Sequence, residues 1–197
     1  DNDARKLTHR STELTASYIL NQQPDTNKHA VIVNIGNISN RGGKTFIISR
    51  VIKLLTNLNK RCLHIHFCLD NTLPAISSVL SQLKQTSSTQ IDDSMELRIN
   101  GLSAMDNKQI LELLAYFDSM DFIFMESPST EKSVLFLNLA AIIKENILIV
   151  SPVDTRNRLE WLINDIRNLH VTVKQIIYST PKKSLIKPLS AVESYNQ

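Results

Sequence analysis

The chain has 197 residues, of which 42% are hydrophobic, the size and composition of one α/β domain with a proper core. Its 22 basic and 19 acidic residues leave a net charge of +3, and no Lys/Arg run interleaved with aromatics points to nucleic acid. No apolar run approaches the ~20 residues of a membrane span, no signal peptide is visible, and Cys62 and Cys68, too close along one predicted strand to bridge, read as reduced thiols of a cytosolic protein.

Residues 1–9 are polar and expected to be loose. Leu14, Ala16, Tyr18, Ile19 and Leu20 then predict an N-terminal helix with Ser11 or Thr12 as its cap. A break at residues 22–28 precedes an apolar strand, Ala30–Ile35. That strand runs into the stretch Asn34–Phe46, which holds Gly36, Gly42 and Gly43, 3 of the chain's 4 glycines. A helical pattern leaves it through Phe46, Ile47, Ile48, Val51, Ile52, Leu54, Leu55 and Leu58. A second strand covers Cys62–Phe67, and a helix covers Leu73–Leu83 with Pro74 in its first turn. Residues 84–93 read as a loop and Glu96–Ile99 as a small strand. Asp106 caps a helix built on Ile110, Leu113, Leu114 and Phe117. The rest alternates: strand Asp121–Glu126, helix Leu135–Ile143, strand Asn146–Val150, a helix from Asp154 through Ile166, strand Val171–Tyr178 and a tail from Lys182. Short apolar strands alternating with helices predict a parallel sheet covered on both faces, with ligands at the C-terminal strand ends.

Strand, glycine loop, Gly43-Lys44-Thr45 and helix form the context of a phosphate-binding loop. Unpaired N–H groups at the helix start attract an anion, Lys44 would reach the β/γ-phosphates, and the Thr45 hydroxyl would sit on Mg²⁺. The spacing departs from G-x-x-x-x-G-K-[ST]: its first glycine would fall at Ile38, and Gly36 lies two residues early. The alternative is a glycine-rich turn with a surface lysine. Glu126, at the end of its strand, is either an acid of Walker-B type or a plain strand-terminal acid. Cys62, His64, His66 and Cys68 alternate along one strand and so share a face. They are either a soft metal site favouring zinc or, more often in such sheets, buried strand side chains. No Ser/His/Asp or Cys/His nucleophile can be named.

Gly43-Lys44-Thr45-Phe46, the Lys60-Arg61 step into the second strand, the segment Met120–Ser129, the strand Ile147–Ser151 and Val173–Tyr178 together resemble the cytoplasmic domain of bacterial tyrosine kinases. These regulate capsule and exopolysaccharide chain length and are related to septum-site and plasmid-partition ATPases. The resemblance covers most of residues 10–183. It implies a P-loop NTPase-like three-layer sandwich of the MinD/ParA type over residues 1–183, with 184–197 as a tail. It implies ATP or ADP held by Arg41, Gly42, Gly43, Lys44 and Thr45, and Mg²⁺ held by Thr45 and Glu126. The family's Asp-x-Asp and following Arg align with His66, Cys68 and Asp70, its Walker-B Asp with Glu126, and its Pro-Pro with Pro128-Ser129. Its tyrosine-rich tail is reduced to Tyr195, and of its Glu-x-x-Arg-x-x-Arg oligomerisation motif only Arg10 fits.

Neutral His and Cys cannot replace carboxylates around Mg²⁺ and a substrate hydroxyl. The expectation is a degenerate, pseudokinase-like regulatory module in exopolysaccharide or capsule biosynthesis and export, with catalysis very weak or absent and nucleotide binding either kept or lost. Implied partners are polysaccharide assembly or export proteins, a membrane-spanning part of the same chain, and further copies in a homo-oligomer. The chain begins at Asp1 rather than Met and so reads as processed or excised, the cytoplasmic domain of an inner-membrane protein. The alternatives are an active kinase or ATPase in which Asp70 or Asp121 replaces the lost acids, and a partition- or localisation-type nucleotide switch.

Overall fold

A computed structural model of the chain describes residues 2–22, 30–39, 43–85, 94–102, 105–151 and 154–179. Its strands are β1 (Val31–Asn37), β2 (Cys62–Cys68), β3 (Ser94–Asn100), β4 (Phe122–Glu126), β5 (Glu145–Val150) and β6 (Gln175–Tyr178). They form one sheet in the order β3-β2-β4-β1-β5-β6, and every pairing is parallel. The helices are α1 (Asn2–Asn21), α2 (Lys44–Thr56), α3 (Ile76–Gln85), α4 (Asn107–Tyr116), α5 (Leu135–Ala140) and α6 (Arg156–Asn168). None of those described is long and apolar enough to cross a membrane.

Alternation along the strands sorts the core into two sides. Val31, Val33 and Ile35 of β1, Cys62 of β2 and Phe122 and Phe124 of β4 face α1 and α2, where Ala16, Ile19, Ile47, Ile48, Val51 and Leu55 cover them. Leu63, Ile65 and Phe67 of β2 and Ile123 and Met125 of β4 face the other way, onto α3, α4 and α5. Ile38, Phe136, Leu148 and Leu162 extend that second side toward α6. The parallel sheet with helices on both faces is thus as expected.

Element boundaries differ from the sequence reading in instructive ways. Helix α1 starts at Asn2, so Ser11 and Thr12 lie inside it and not at its start. Good helix formers such as Ala4, Lys6 and Leu7 extend it without an apolar pattern. Its buried face is Thr12, Thr15, Ala16 and Ile19, whereas Leu14 is exposed. Helix α3 starts two residues after Pro74. Asp106 caps α4 as expected, with Gln109 completing a reciprocal capping box. Asp154 does not open α6. Thr155 precedes the helix, and Asp154 accepts from the Ser151 N–H at 2.7 Å. Of the expected break at 22–28, residues 23–28 lie outside the described residues, as do residues 86–93 of the expected 84–93 loop, whose first two residues belong to α3, and the tail from Lys182.

Gly36 belongs to β1 rather than to the loop beyond it. A Cβ at this position would lie 2.3 Å from the buried ring of Phe136 on α5. The glycine is there so that α5 can press against the sheet. Ile38 likewise packs against the core on the α5–α6 side and lines no cavity at the loop. Gly36→Ala is therefore expected to cost about 1–3 kcal/mol by overpacking. Combined with Phe136→Leu, which removes the clashing ring, the cost should fall well short of the two single costs added together. Chemical denaturation of the three variants measures both.

Candidate functional site

At the C-terminal end of β1 the chain passes through Gly43, which has φ +63° and precedes the first turn of α2. With a glycine at its N-cap position the turn has no N-cap side chain to take its N–H groups, and such groups attract an anion. Lys44 is 8% exposed and turns inward. Its ammonium donates to Asn37 Oδ1 at 3.1 Å and to the Ser127 carbonyl, and lies 3.8 Å from Glu126 Oε1. Asn37, Gly43, Lys44, Thr45, Phe46, His66, Cys68, Glu126, Ser129 and Lys132 are among the walls of a cavity of about 590 Å³, within the usual size range of small-molecule sites. Arg41 and Gly42 lie outside the described residues.

Glu126 is the hub. It is 1% exposed, and strand register sets it level with Ile35 of β1 and His66 of β2. Its Oε1 accepts the Thr45 hydroxyl at 2.6 Å and lies 3.6 Å from His66 Nε2. Its Oε2 is 2.9 Å from His64 Nε2. The two imidazoles stack in parallel with centroids 5.7 Å apart. Burial works against the charge on Glu126. The hydrogen bonds from His64 and Thr45, with the charges of Lys44 and His66, outweigh it and hold the carboxyl below its ordinary value. Burial lowers the pKa of Lys44 despite Glu126 beside it. His66 is also lowered, first by burial, with His64, Lys44 and Arg98 adding to the effect and Glu126 opposing it.

Groups of three or more His, Cys, Asp or Glu able to hold a metal are absent among the described residues. His64 and His66 turn to Glu126 instead, and burial pushes the Cys62 thiol up to about 12. Cys68 reaches the cavity wall, with Arg98 Nη2 3.7 Å from its sulfur. Asp70 lies beyond the end of β2 and accepts from the Thr72 hydroxyl at 2.7 Å and the Thr72 N–H at 2.9 Å. Asp121 accepts from the Arg61 N–H at 2.7 Å at the opposite end of β4. Neither acid lines the cavity, so neither stands in for a lost one there. The sequence reading also passed over a buried polar relay. Asn146 Oδ1 accepts from Asn34 at 2.9 Å, and Asn34 Oδ1 accepts the Ser127 hydroxyl at 3.2 Å. This fixes the residue whose carbonyl holds Lys44. The available signal was a polar Asn34 inside an apolar strand.

No protein-family model matches the chain, and none of the curated proteins is similar to it in sequence. Solved structures match it in fold. The kinase domain of the Escherichia coli tyrosine kinase ETK superposes over 91% of this chain and 78% of its own, with a TM-score of 0.67 at 13% identity. A ParA family ATPase from Chlorobium tepidum matches over 78% and 74%, with a TM-score of 0.58 at 10% identity. Cobyrinic acid a,c-diamide synthase from Mycobacterium smegmatis, solved with an ATP analogue and magnesium, matches over 76% and 70%, with a TM-score of 0.54 at 18% identity. The chain has the P-loop fold of the bacterial tyrosine kinase domains.

Within this P-loop fold, the residues fit a phosphate group. The uncapped start of α2, Lys44 and Lys132 bring positive charge to the cavity, and the buried Ser129 hydroxyl has no partner among the described residues. They do not fit Mg²⁺. Thr45 and Glu126, the expected ligands, are bonded to each other, and the carboxylate is already ringed by Lys44, His64 and His66. Mg²⁺ needs octahedral oxygen ligands with room for its waters, and Glu126 is almost wholly enclosed.

Removing the carboxylate leaves the cations around it uncompensated, so Glu126→Ala is expected to cost about 3–5 kcal/mol in chemical denaturation. The pH dependence has a definite sign. Both His66 and Glu126 have lowered pKa values, so the fold binds fewer protons than the unfolded chain. Stability from these groups is complete above about 6.5, the ordinary His value, and falls with pH, first through His66 and then, below about 4.5, through Glu126. In His66→Gln the decline of the denaturation midpoint just below pH 6.5 should be reduced, while the loss below pH 4.5 remains.

Proposed function

We propose that this chain is a degenerate kinase-like P-loop domain that keeps a nucleotide cradle but does not transfer phosphate. It would act as a regulatory module in exopolysaccharide or capsule assembly and export, working through contacts with further copies and with assembly proteins. One observation carries the reading: Glu126 is the sole carboxylate among the described cavity walls, and it is fully engaged by Thr45, Lys44 and two histidines. Phosphoryl transfer depends on positioning and on neutralising charge, and an acid must orient the attacking hydroxyl. His66 and Cys68 stand where the resembled kinases place acids. Losing one such group costs about 10²–10³ in rate.

The chain's own residues still perform the binding half of the task. The start of α2 offers backbone donors, Lys44 supplies a buried positive charge, and Asn37 and Ser127 hold that lysine in place. The polysaccharide setting rests on the motif resemblance, and the superposition on ETK supports the kinase-like frame beneath it. Incubated with labelled ATP and magnesium, the protein is expected to label itself no faster than Lys44→Ala does, while calorimetry registers nucleotide binding that Lys44→Ala loses. Turnover that depends on Lys44 would establish an active kinase or ATPase instead.

A further inference from the structure

We propose that the cavity takes the polyphosphate of its ligand without a divalent cation, so that magnesium weakens binding instead of tightening it. The inference rests on the nucleotide-site reading above and specifies which form of the ligand the site accepts.

The anion half of the site is built. Helix α2 has 13 residues, and its N-cap, Gly43, offers no capping side chain. Ser129, 1% exposed, lines the cavity, and its hydroxyl lacks a partner among the described residues. A buried unpaired hydroxyl is costly unless something arrives to use it. Lys44 and the exposed Lys132 both line the cavity, and Arg98 approaches Cys68 at 3.7 Å.

The cation half has been dismantled. Glu126 is in contact with a hydroxyl, an ammonium and two imidazoles, all within 3.8 Å. A magnesium ion there would meet three groups that carry or can carry positive charge. The neighbouring ligand positions offer an imidazole and a thiol, whereas Mg²⁺ prefers hard oxygen donors. A metal-free triphosphate keeps the negative charge that bound magnesium would cancel, and a cavity walled by two lysines favours that form.

The test is calorimetry on the full chain with ATP and, separately, inorganic tripolyphosphate, each in EDTA and in excess magnesium. ATP is expected to bind roughly tenfold tighter in EDTA, the scale of one charge interaction lost. Ser129→Ala and Lys132→Ala should each weaken the metal-free binding about fivefold while neither lowers the thermal midpoint, Ser129→Ala raising it if anything because an unpaired buried hydroxyl is removed. The double variant His66→Asp, Cys68→Asp restores two oxygen donors and should reverse the sign of the magnesium effect. Tightening of ATP by magnesium in the parent protein would overturn this inference and leave the nucleotide reading standing. Tripolyphosphate binding in EDTA without ATP binding would uphold the metal-free cradle and sink the nucleotide reading. Absence of binding by both ligands in EDTA would overturn the inference, and absence in magnesium as well would remove the nucleotide reading with it.

Discussion

A single enclosed carboxylate ties the functional end of this molecule together. Glu126 sits at the end of β4, and its partners come from α2 and β2. An isolated buried carboxylate is expensive, so its place in the fold depends on those partners being in position. Register between parallel strands does that work. His66 lies directly across from Glu126, and His64 reaches it from two residues earlier on the same face. Thr45 arrives because α2 begins immediately after the left-handed Gly43. The same contacts that make the fold tolerable also define what the cavity can attract.

Much of this was legible in the sequence. The alternation of short apolar strands and helices pointed to the parallel sheet, and the run Asp121–Glu126 meets β4 to within one residue. The alternation of Cys62, His64, His66 and Cys68 put them on one face. What it could not supply was the identity of their neighbour. Strand order is a long-range property, and only the placement of β4 between β2 and β1 makes Glu126 the partner of the histidines. Boundaries failed for local reasons. Helix α1 runs through polar residues whose propensity is adequate without any amphipathic signal, and the start of α6 is marked by Thr155, with Asp154 engaged by Ser151.

Gly36 shows how a correct observation can carry a wrong meaning. Clustering of glycines near a Lys-Thr pair suggested that all served the loop. The ring of Phe136 gives Gly36 a packing reason instead, while Gly43 alone among the described glycines has a positive φ. The oddly spaced motif therefore holds two unrelated requirements, one steric and one conformational, that happen to be neighbours in the chain. The roles of Ser127 and Ser129 stayed hidden for a different reason. Serine after a strand looks like an ordinary loop residue, and only burial reveals that one is held by Asn34 and the other is left unpaired.

Helix α1 has a mechanical side. Near its C-terminal end the Tyr18 hydroxyl donates to Glu145 at 2.9 Å, at the first residue of β5. Toward its other end Thr12 shares a small cleft with Phe46, Arg50 and Lys53 of α2. The helix is thus tied to the sheet by that hydrogen bond and by the burial of Ala16 and Ile19, and it lies beside the element that carries Thr45. A helix held by a polar tie and by apolar burial along its length keeps its alignment with α2, so the cradle's position is fixed in part from outside the loop itself.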